Sequence, residues 1–126
     1  MAVQSISECQ KVLVVEDEMM IALLIEDALC ALGAQVVGPA ARLDAALRLA
    51  SEASIDAAIL DVNIRGGNSY PVADILATRG IPFIFCSGYS DWALEGRYRD
   101  RPHLIKPYSL EELEVSVMQM LGVRPN

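Results

Sequence analysis

The sequence has little positive charge, few cysteines and no long apolar run, and each shortage excludes a class of protein. Its 126 residues carry 10 Lys and Arg against 17 Asp and Glu, a formal net charge of −7 at pH 7. Binding to nucleic acid phosphates needs clustered Lys and Arg, so direct nucleic acid binding is not expected. No run of about 18 apolar residues occurs, so neither a spanning helix nor membrane insertion is expected.

Cysteine usage points to a reducing compartment. The three cysteines, Cys9, Cys30 and Cys86, have neither the spacing of a metal site nor that of a disulfide framework. Cys30 and Cys86 have apolar neighbours, so we expect both to be small residues of the core. Residues 1–10 lack the basic start and apolar run of a signal peptide. These absences favour a cytoplasmic protein.

Short apolar runs alternate with helical patterns along the whole chain. Runs such as Val12–Val15 and Ala57–Leu60 have the unbroken aliphatic character of strands that are covered on both faces. Five such units of strand and helix predict a doubly wound, flavodoxin-like α/β fold. Its five-stranded parallel sheet should have the order 2-1-3-4-5, with five helices. The length predicts a single domain over residues 1–126, with its core at about 11–121.

Turn and capping residues predict where the elements begin and end. Gly38-Pro39 closes the second strand, and Arg65–Asn68 is a loop by composition. Ser109–Glu112 has the form of a capping box at the start of the last helix. The fourth helix, at about 91–98, is expected to be the least regular one because Gly96 interrupts it.

Polar side chains follow four of the five predicted strands. They are Glu16 and Asp17 after the first strand, Asp61 after the third, Ser87 after the fourth and Lys106 after the fifth. The carboxyl ends of parallel strands meet at one edge of a sheet, near the point where the strand order reverses. The sequence therefore predicts three carboxylates, a hydroxyl and an ammonium group in one compact site.

This set of groups is suited to phosphoryl transfer. Crowded carboxylates repel one another unless a cation neutralises them, and hard oxygen ligands of this kind suit Mg²⁺. Lys106 could hold one phosphate oxygen and Ser87 could donate a hydrogen bond to another, which would stabilise a phosphoryl group in transfer. Asp61 is the carboxylate best placed to be the nucleophile, because Asp forms covalent phosphates.

With these residues in this order, the chain resembles the receiver domain of bacterial two-component response regulators over nearly its whole length. The resemblance implies that a sensor histidine kinase or a histidine phosphotransfer protein supplies a phosphoryl group to Asp61 from phosphohistidine. It implies that the backbone carbonyl of Asn63 joins the three carboxylates as an Mg²⁺ ligand, and that Ser87 and Lys106 bind the phosphoryl oxygens. The bond between Lys106 and Pro107 is often cis in such domains.

The resemblance also implies how the domain signals. Phosphorylation would draw Ser87 and Lys106 inward and shift an equilibrium between two surface arrangements. The face formed by the fourth helix, the fifth strand and the fifth helix would change most and would bind a downstream target protein. The phosphate would then be lost slowly by self-catalysis. Such a domain is a signalling domain that catalyses only its own phosphorylation and dephosphorylation.

Three features depart from the commonest receiver pattern. Arg65 stands where a proline is usual, four residues after Asp61. Residues Phe85–Tyr89 resemble the Phe-Ala-Thr-Gly-hydrophobic-Tyr signature of the FATGUY receivers, which are largely stand-alone domains. His103 replaces the usual switching aromatic, three residues before Lys106. His103 is therefore either a partly exposed strand residue or a switching or pH-sensing residue.

Two functions of other classes stay open at this stage. Arg65, His103 and the glycine-rich loop allow a pseudo-receiver that is never phosphorylated and serves as a docking module. A small Mg²⁺-dependent phosphatase of related topology is the other alternative. Such an enzyme normally has a second acid two residues after its nucleophile, where this chain has Asn63, and a cap, for which no length remains.

Overall fold

A five-stranded parallel sheet forms the centre of the structure, a computed structural model that describes residues 10–88, 96–98 and 101–122. The elements, numbered in chain order, are β1 (Lys11–Val15), α1 (Met19–Ala31), β2 (Gln35–Ala40), α2 (Leu43–Glu52), β3 (Ala57–Asp61), β4 (Asn63–Ile64), β5 (Gly67–Asn68), α3 (Tyr70–Thr78), β6 (Phe83–Ser87), β7 (His103–Ile105) and α4 (Leu110–Met120). The sheet has the order β2-β1-β3-β6-β7. This confirms the predicted order, because β6 and β7 are the fourth and fifth of the predicted strands.

The central strands are buried on both faces, as their unbroken aliphatic sequences require. Successive side chains of a strand point to opposite faces of the sheet and therefore enter different clusters. Leu13 and Leu60 pack in the cluster that α2 and α3 cover. Val12 and Ile59 pack in the cluster that α1 and α4 cover. The two layers of helices leave the carboxyl edge of the sheet as the place where polar side chains collect.

The helices number four in the part of the chain that the structure describes, rather than the five predicted. Most of the predicted fourth helix, at about 91–98, lies outside the described residues, and its last residues form the 3₁₀ turn Gly96–Tyr98. The capping box of the last helix is confirmed. Ser109 Oγ accepts a hydrogen bond from the Glu112 backbone at 3.0 Å, and Glu112 Oε1 accepts one from the Ser109 backbone at 2.8 Å.

The predicted end of the second strand is wrong. β2 continues through Gly38-Pro39 to Ala40, whose carbonyl accepts a hydrogen bond from the Glu16 backbone at 3.0 Å. A proline is tolerated here because β2 is an edge strand, where the outer side needs no ladder donor. The pairing of β2 with β1 is irregular between Leu13 and Val15, which accommodates this segment.

The predicted loop Arg65–Asn68 is part of a small antiparallel hairpin formed by β4 and β5. Gly66 and Gly67 have φ values of 98° and 144°, which glycine adopts without the strain that a Cβ would bring. Composition alone indicated a turn here, but two paired residues on each side are too few to give a strand pattern. The hairpin follows β3 directly and so lies beside the carboxyl edge of the sheet.

The prediction that both Cys30 and Cys86 are core residues is wrong for Cys30. Cys86 is buried in β6, but Cys30 is exposed on α1. The buried positions of α1 are Ala22, Ile25, Ala28 and Leu29, and Cys30 lies off that stripe. Cys9 lies outside the described residues. Among the residues that are described, no helix combines the length and the hydrophobicity of a membrane span.

Candidate functional site

The five polar residues predicted at strand ends all lie at one edge of the sheet. Asp61 and Ser87 are the last residues of β3 and β6, which are adjacent strands. Glu16 and Asp17 directly follow β1, the other neighbour of β3, and Lys106 directly follows β7. Asp61 therefore stands between the two acids on one side and the hydroxyl on the other.

Lys106 is the residue that joins these strand ends. Its ammonium nitrogen lies close to oxygen atoms of three carboxylates. The partners are Glu16 Oε1 at 3.1 Å, Glu18 Oε1 at 3.3 Å and Asp61 Oδ2 at 3.3 Å. The side chain of Lys106 is only 14% exposed, so its contacts with the buried Glu16 and Asp61 are shielded from water. Burial lowers the pKa of Lys106, but the charges of Asp61 and Glu16 outweigh it and raise the pKa overall.

Asp61 is a buried carboxyl group whose pKa is shifted far above the usual value. Burial, followed by the charge of Glu16, raises its pKa to about 7, although the charge of Lys106 opposes the shift. Desolvation and a like charge both disfavour the ionised form of an acid. A bound cation or a further positive charge would restore the carboxylate at neutral pH, which is the form that a nucleophile or a metal ligand requires.

The three predicted metal ligands are close enough together to hold one ion. One carboxylate oxygen from each of Glu16, Asp17 and Asp61 lies within 4.8 Å of the others. In the described part of the chain, no group donates a hydrogen bond to the buried Glu16 Oε1, although Lys106 Nζ lies 3.1 Å away. A buried oxygen that lacks a hydrogen bond and a purely carboxylate donor set both fit Mg²⁺. Asn63 lies two residues beyond Asp61, at the start of the hairpin.

Asp17 and Glu18 have separate positions at the start of α1. The N-cap residue of α1 is Glu18, and its side chain makes no capping hydrogen bond. Asp17 is therefore not the helix cap, and its carboxylate belongs to the acidic cluster. Glu18 is the site residue that sequence reasoning missed. The signal that could have found it is its place directly after the two predicted ligands.

The hydroxyl side of the site has a hydrogen bond that the sequence did not predict. Ser87 is buried, and its Oγ shares a hydrogen bond of 3.0 Å with Nε2 of His103. The two residues lie on neighbouring strands, since β6 pairs with β7. His103 is a half-buried residue of β7, which agrees with the prediction of a partly exposed strand residue. The bond therefore links His103 to the end of β6, the strand next to the one that ends at Asp61.

The remaining predicted residues frame the site. The peptide bond between Lys106 and Pro107 is cis, as the resemblance implies. Arg65 is exposed and lines a cleft of about 330 Å³ together with Glu16 and Asp17. Burial raises the pKa of the Cys86 thiol to about 12. The thiol beside Asp61 therefore stays protonated and is not a competing nucleophile.

Known proteins resemble this chain in sequence and in fold. The family model of the response regulator receiver domain matches residues 12–117. The phyllosphere-induced regulator PhyR of Methylorubrum extorquens is 32% identical over 115 residues, and the match covers 88% of this chain and 43% of PhyR. The chain thus spans less than half the length of this relative.

Solved structures also resemble this chain in sequence and in fold. The solution structure of SdrG from Sphingomonas melonis Fr1 is 44% identical, has a TM-score of 0.78 and is covered completely, over 94% of this chain. The receiver domain of the sensor histidine kinase PA1611 from Pseudomonas aeruginosa is 25% identical, with a TM-score of 0.75 over 91% of this chain and 99% of its own. That crystal structure holds a magnesium ion coordinated in its active site cleft.

Proposed function

Because the chain belongs to the response regulator receiver domain family of two-component signalling, we propose that it accepts a phosphoryl group on Asp61. The donor is the phosphohistidine of a sensor histidine kinase or histidine phosphotransfer protein, and the transfer takes place in the cytoplasm. Residues 1–126 then act as one receiver domain, a signalling domain whose only catalysis is on itself. The observation that carries the proposal is the contact of Lys106 with Asp61 inside a cluster of carboxylates.

The chemical step is a transfer between a nitrogen and an oxygen. An Oδ atom of Asp61 forms a bond to phosphorus while the bond from phosphorus to the imidazole nitrogen breaks, and the electron pair returns to the imidazole. The product is an acyl phosphate. Lys106 is close enough to Asp61 to donate to a phosphoryl oxygen as negative charge develops there. Its raised pKa keeps the ammonium charged throughout.

The acidic cluster supports a requirement for Mg²⁺. Glu16, Asp17 and Asp61, with the backbone carbonyl of Asn63, would hold the ion. When bound, the ion neutralises the carboxylates and the charge on the phosphoryl oxygens. Without that neutralisation, a phosphoryl group would enter a site where, among the described residues, Lys106 is the cation that contacts the carboxylates. The magnesium ion in the cleft of the PA1611 receiver domain supports this assignment.

The donor is expected to dock on the start of α1. Met19 and Met20 are 76% and 79% exposed, and Leu23 is 49% exposed. These apolar side chains begin two residues after Asp17, so they adjoin the site that the phosphohistidine must reach. Exposed apolar patches of this kind mark protein interaction sites, and methionine adapts to varied partners.

Signalling is expected to start at Ser87 and to reach the surface of β7 and α4. A phosphoryl group on Asp61 would attract the Ser87 hydroxyl, which now shares a hydrogen bond with His103. Exposed apolar side chains on β7 and α4 give a target protein something to bind: Ile105, Leu110 and Val115. The target binds the arrangement that phosphorylation favours, which is a population shift.

Phosphorylation by a small acyl phosphate donor in the presence of Mg²⁺ tests the proposal. We expect the wild-type chain to gain the mass of one phosphoryl group, and Asp61→Asn to gain none. Asp27→Asn, which removes an exposed carboxylate from α1, should be labelled like the wild type.

Other outcomes of the same experiment would replace the proposal. Equal labelling of Asp61→Asn would move the acceptor to another residue. A folded wild type that takes no phosphoryl group from any donor would favour the docking module. Hydrolysis of a generic phosphatase substrate at many turnovers would favour the phosphatase.

A further inference from the structure

Glu18 differs from the other two carboxylates that contact Lys106. Its side chain is 62% exposed, whereas those of Glu16 and Asp61 are almost completely buried. Glu18 also lies outside the group of three acids that could hold a cation. Of the three carboxylates that contact Lys106, Glu18 is therefore the one that would not be a ligand of a bound Mg²⁺.

The number of donors on Lys106 makes this difference important. An ammonium group has three N–H donors, and in this structure three carboxylates surround it. To reach a phosphoryl oxygen, Lys106 must withdraw a donor from one of them. A cation bound at Glu16 and Asp61 would weaken the attraction of those two for the ammonium. The attraction of Glu18 would remain.

We propose that Glu18 is a positioning residue that holds Lys106 at the rim of the site and so opposes its contact with the phosphoryl group. The inference rests on the proposed function. The backbone amide of Glu18 donates to Glu16 Oε2 at 3.1 Å, which fixes the backbone of Glu18 relative to the site. Only the side chain then has to move for Lys106 to be released.

Two substitutions separate contact from charge. Glu18→Gln removes the charge and keeps the length, and Glu18→Asp keeps the charge but shortens the side chain by one methylene. Because the Glu18 side chain makes no capping hydrogen bond, neither change removes a helix cap. Glu26→Gln is the matched control, because it removes one negative charge from the same helix, two turns further on.

The experiment measures two quantities at saturating Mg²⁺: the rate of phosphorylation by a small acyl phosphate, and the affinity for beryllofluoride, a phosphoryl mimic. We expect both Glu18→Gln and Glu18→Asp to be phosphorylated about two- to five-fold faster than the wild type, the range for an exposed ion pair. Both should bind beryllofluoride more tightly by a similar factor. Far-UV circular dichroism should match that of the wild type, and the urea midpoint of Glu18→Asp should be equal or higher because Asp is a favoured N-cap residue.

Three results would overturn the inference. Glu18→Gln and Glu26→Gln could change both quantities equally, which would reduce the effect to net charge. Glu18→Asp could be phosphorylated at the wild-type rate while Glu18→Gln is phosphorylated faster. The negative charge at position 18 would then act without the contact with Lys106. The third is a wild type that is labelled at Asp61 while both Glu18 variants are unaltered. A wild type that takes no label at all would instead overturn the proposed function and this inference with it.

Discussion

Asp61 lies between two flanks that differ in chemistry. We define the acidic flank as Glu16, Asp17, Glu18 and Lys106, and the hydroxyl flank as Ser87 and His103. The acidic flank consists of full charges, and the ammonium nitrogen lies 3.1–3.3 Å from three carboxylates. The hydroxyl flank contains a hydrogen bond of 3.0 Å between the side chains of Ser87 and His103.

The difference suggests a division of labour. Removing a partner from a buried charge costs about 3–5 kcal/mol, so the acidic flank resists rearrangement until another charge replaces one that is lost. A hydrogen bond between side chains contributes about 1 kcal/mol net, so the hydroxyl flank can exchange partners at low cost. The acidic flank is suited to stabilising a phosphoryl group, and the hydroxyl flank to responding to it.

An aromatic cluster packs against β6, the strand that ends at Ser87. Phe85, two residues before Ser87, lies with its ring centroid 5.4 Å from that of Tyr98 and 5.6 Å from that of Tyr70. The Tyr98 hydroxyl donates a hydrogen bond of 2.5 Å to Asp74 on α3. We expect this packing to hold the β6 backbone in place, so that a change at Ser87 passes to β7 through side chains.

The largest effect should come from the acidic flank. Lys106→Met should slow phosphorylation by a small acyl phosphate by about 10²-fold, because it removes the one cation that contacts Asp61 in the part of the chain described. Lys11→Met, at the opposite end of β1, is the control and should be phosphorylated at the wild-type rate. A loss of less than about threefold in Lys106→Met would show that the acidic flank does not stabilise the transferred group.

A smaller effect is expected from the hydroxyl flank. Ser87→Ala should slow the same reaction by about fivefold, the factor that corresponds to a hydrogen bond worth about 1 kcal/mol. Ser87→Thr keeps the hydroxyl group and should retain most of the rate. If Ser87→Ala were as slow as Lys106→Met, the two flanks would contribute equally and the division proposed here would be wrong.

The ionisation of Asp61 gives the acidic flank a pH dependence. Burial and Glu16 raise the pKa of Asp61 to about 7, against about 3.9 in an unfolded chain. Between these values the folded state binds the extra proton, so the free energy of unfolding without Mg²⁺ should fall as pH rises from about 4 to about 7. Stabilisation by Mg²⁺ should increase over the same range, because metal binding needs the carboxylate.

Urea unfolding in a chelator and in Mg²⁺, at several pH values, measures both trends. The variant Asp61→Asn has no proton to exchange at this position and should lose most of the fall in stability. A fall of the same size in the variant would assign the pH dependence to another group.

The smallest effect on chemistry should come from His103. His103→Phe removes the hydrogen bond to Ser87 and restores an aromatic ring, so we expect the phosphorylation rate to stay within about twofold of the wild type. The response to beryllofluoride should change, with altered amide chemical shift changes in β7 and α4. A large loss of phosphorylation rate would show that His103 contributes to catalysis. An unaltered response to beryllofluoride would show that His103 has no role in signalling.

The positions of the polar residues at the strand ends were predictable from the apolar runs that precede them. Val12–Val15 is too apolar to lie at a surface, so the acids that follow it must mark the edge of the sheet. The same holds for Asp61 after β3 and for Ser87 after β6. Strand order followed from the right-handed crossovers of βα units. The strand order thus predicts that Lys106 and Asp61 lie at the same edge of the sheet. It does not predict the distance between Lys106 Nζ and Asp61 Oδ2.

Contacts between side chains were less predictable. Glu18 follows the strand like its two neighbours, but whether its flexible side chain turns toward Lys106 depends on the position of β7, two strands from β3. The hydrogen bond of His103 with Ser87 depends on the register between β6 and β7, which no pattern in the sequence specifies. The exposure of Cys30 was predictable in principle, because it lies off the stripe formed by Ile25 and Leu29.

Mapping the phosphorylated residue tests the central claim most directly. After phosphorylation, borohydride reduces an aspartyl phosphate to homoserine, and tandem mass spectrometry of the peptides locates the change. We predict homoserine at position 61 and at no other position, with the label lost at high pH as for an acyl phosphate. A phosphate that survives borohydride on Ser87 would contradict the account. So would reduction at position 17 to homoserine, or at position 16 to 2-amino-5-hydroxypentanoic acid, with Asp61 intact.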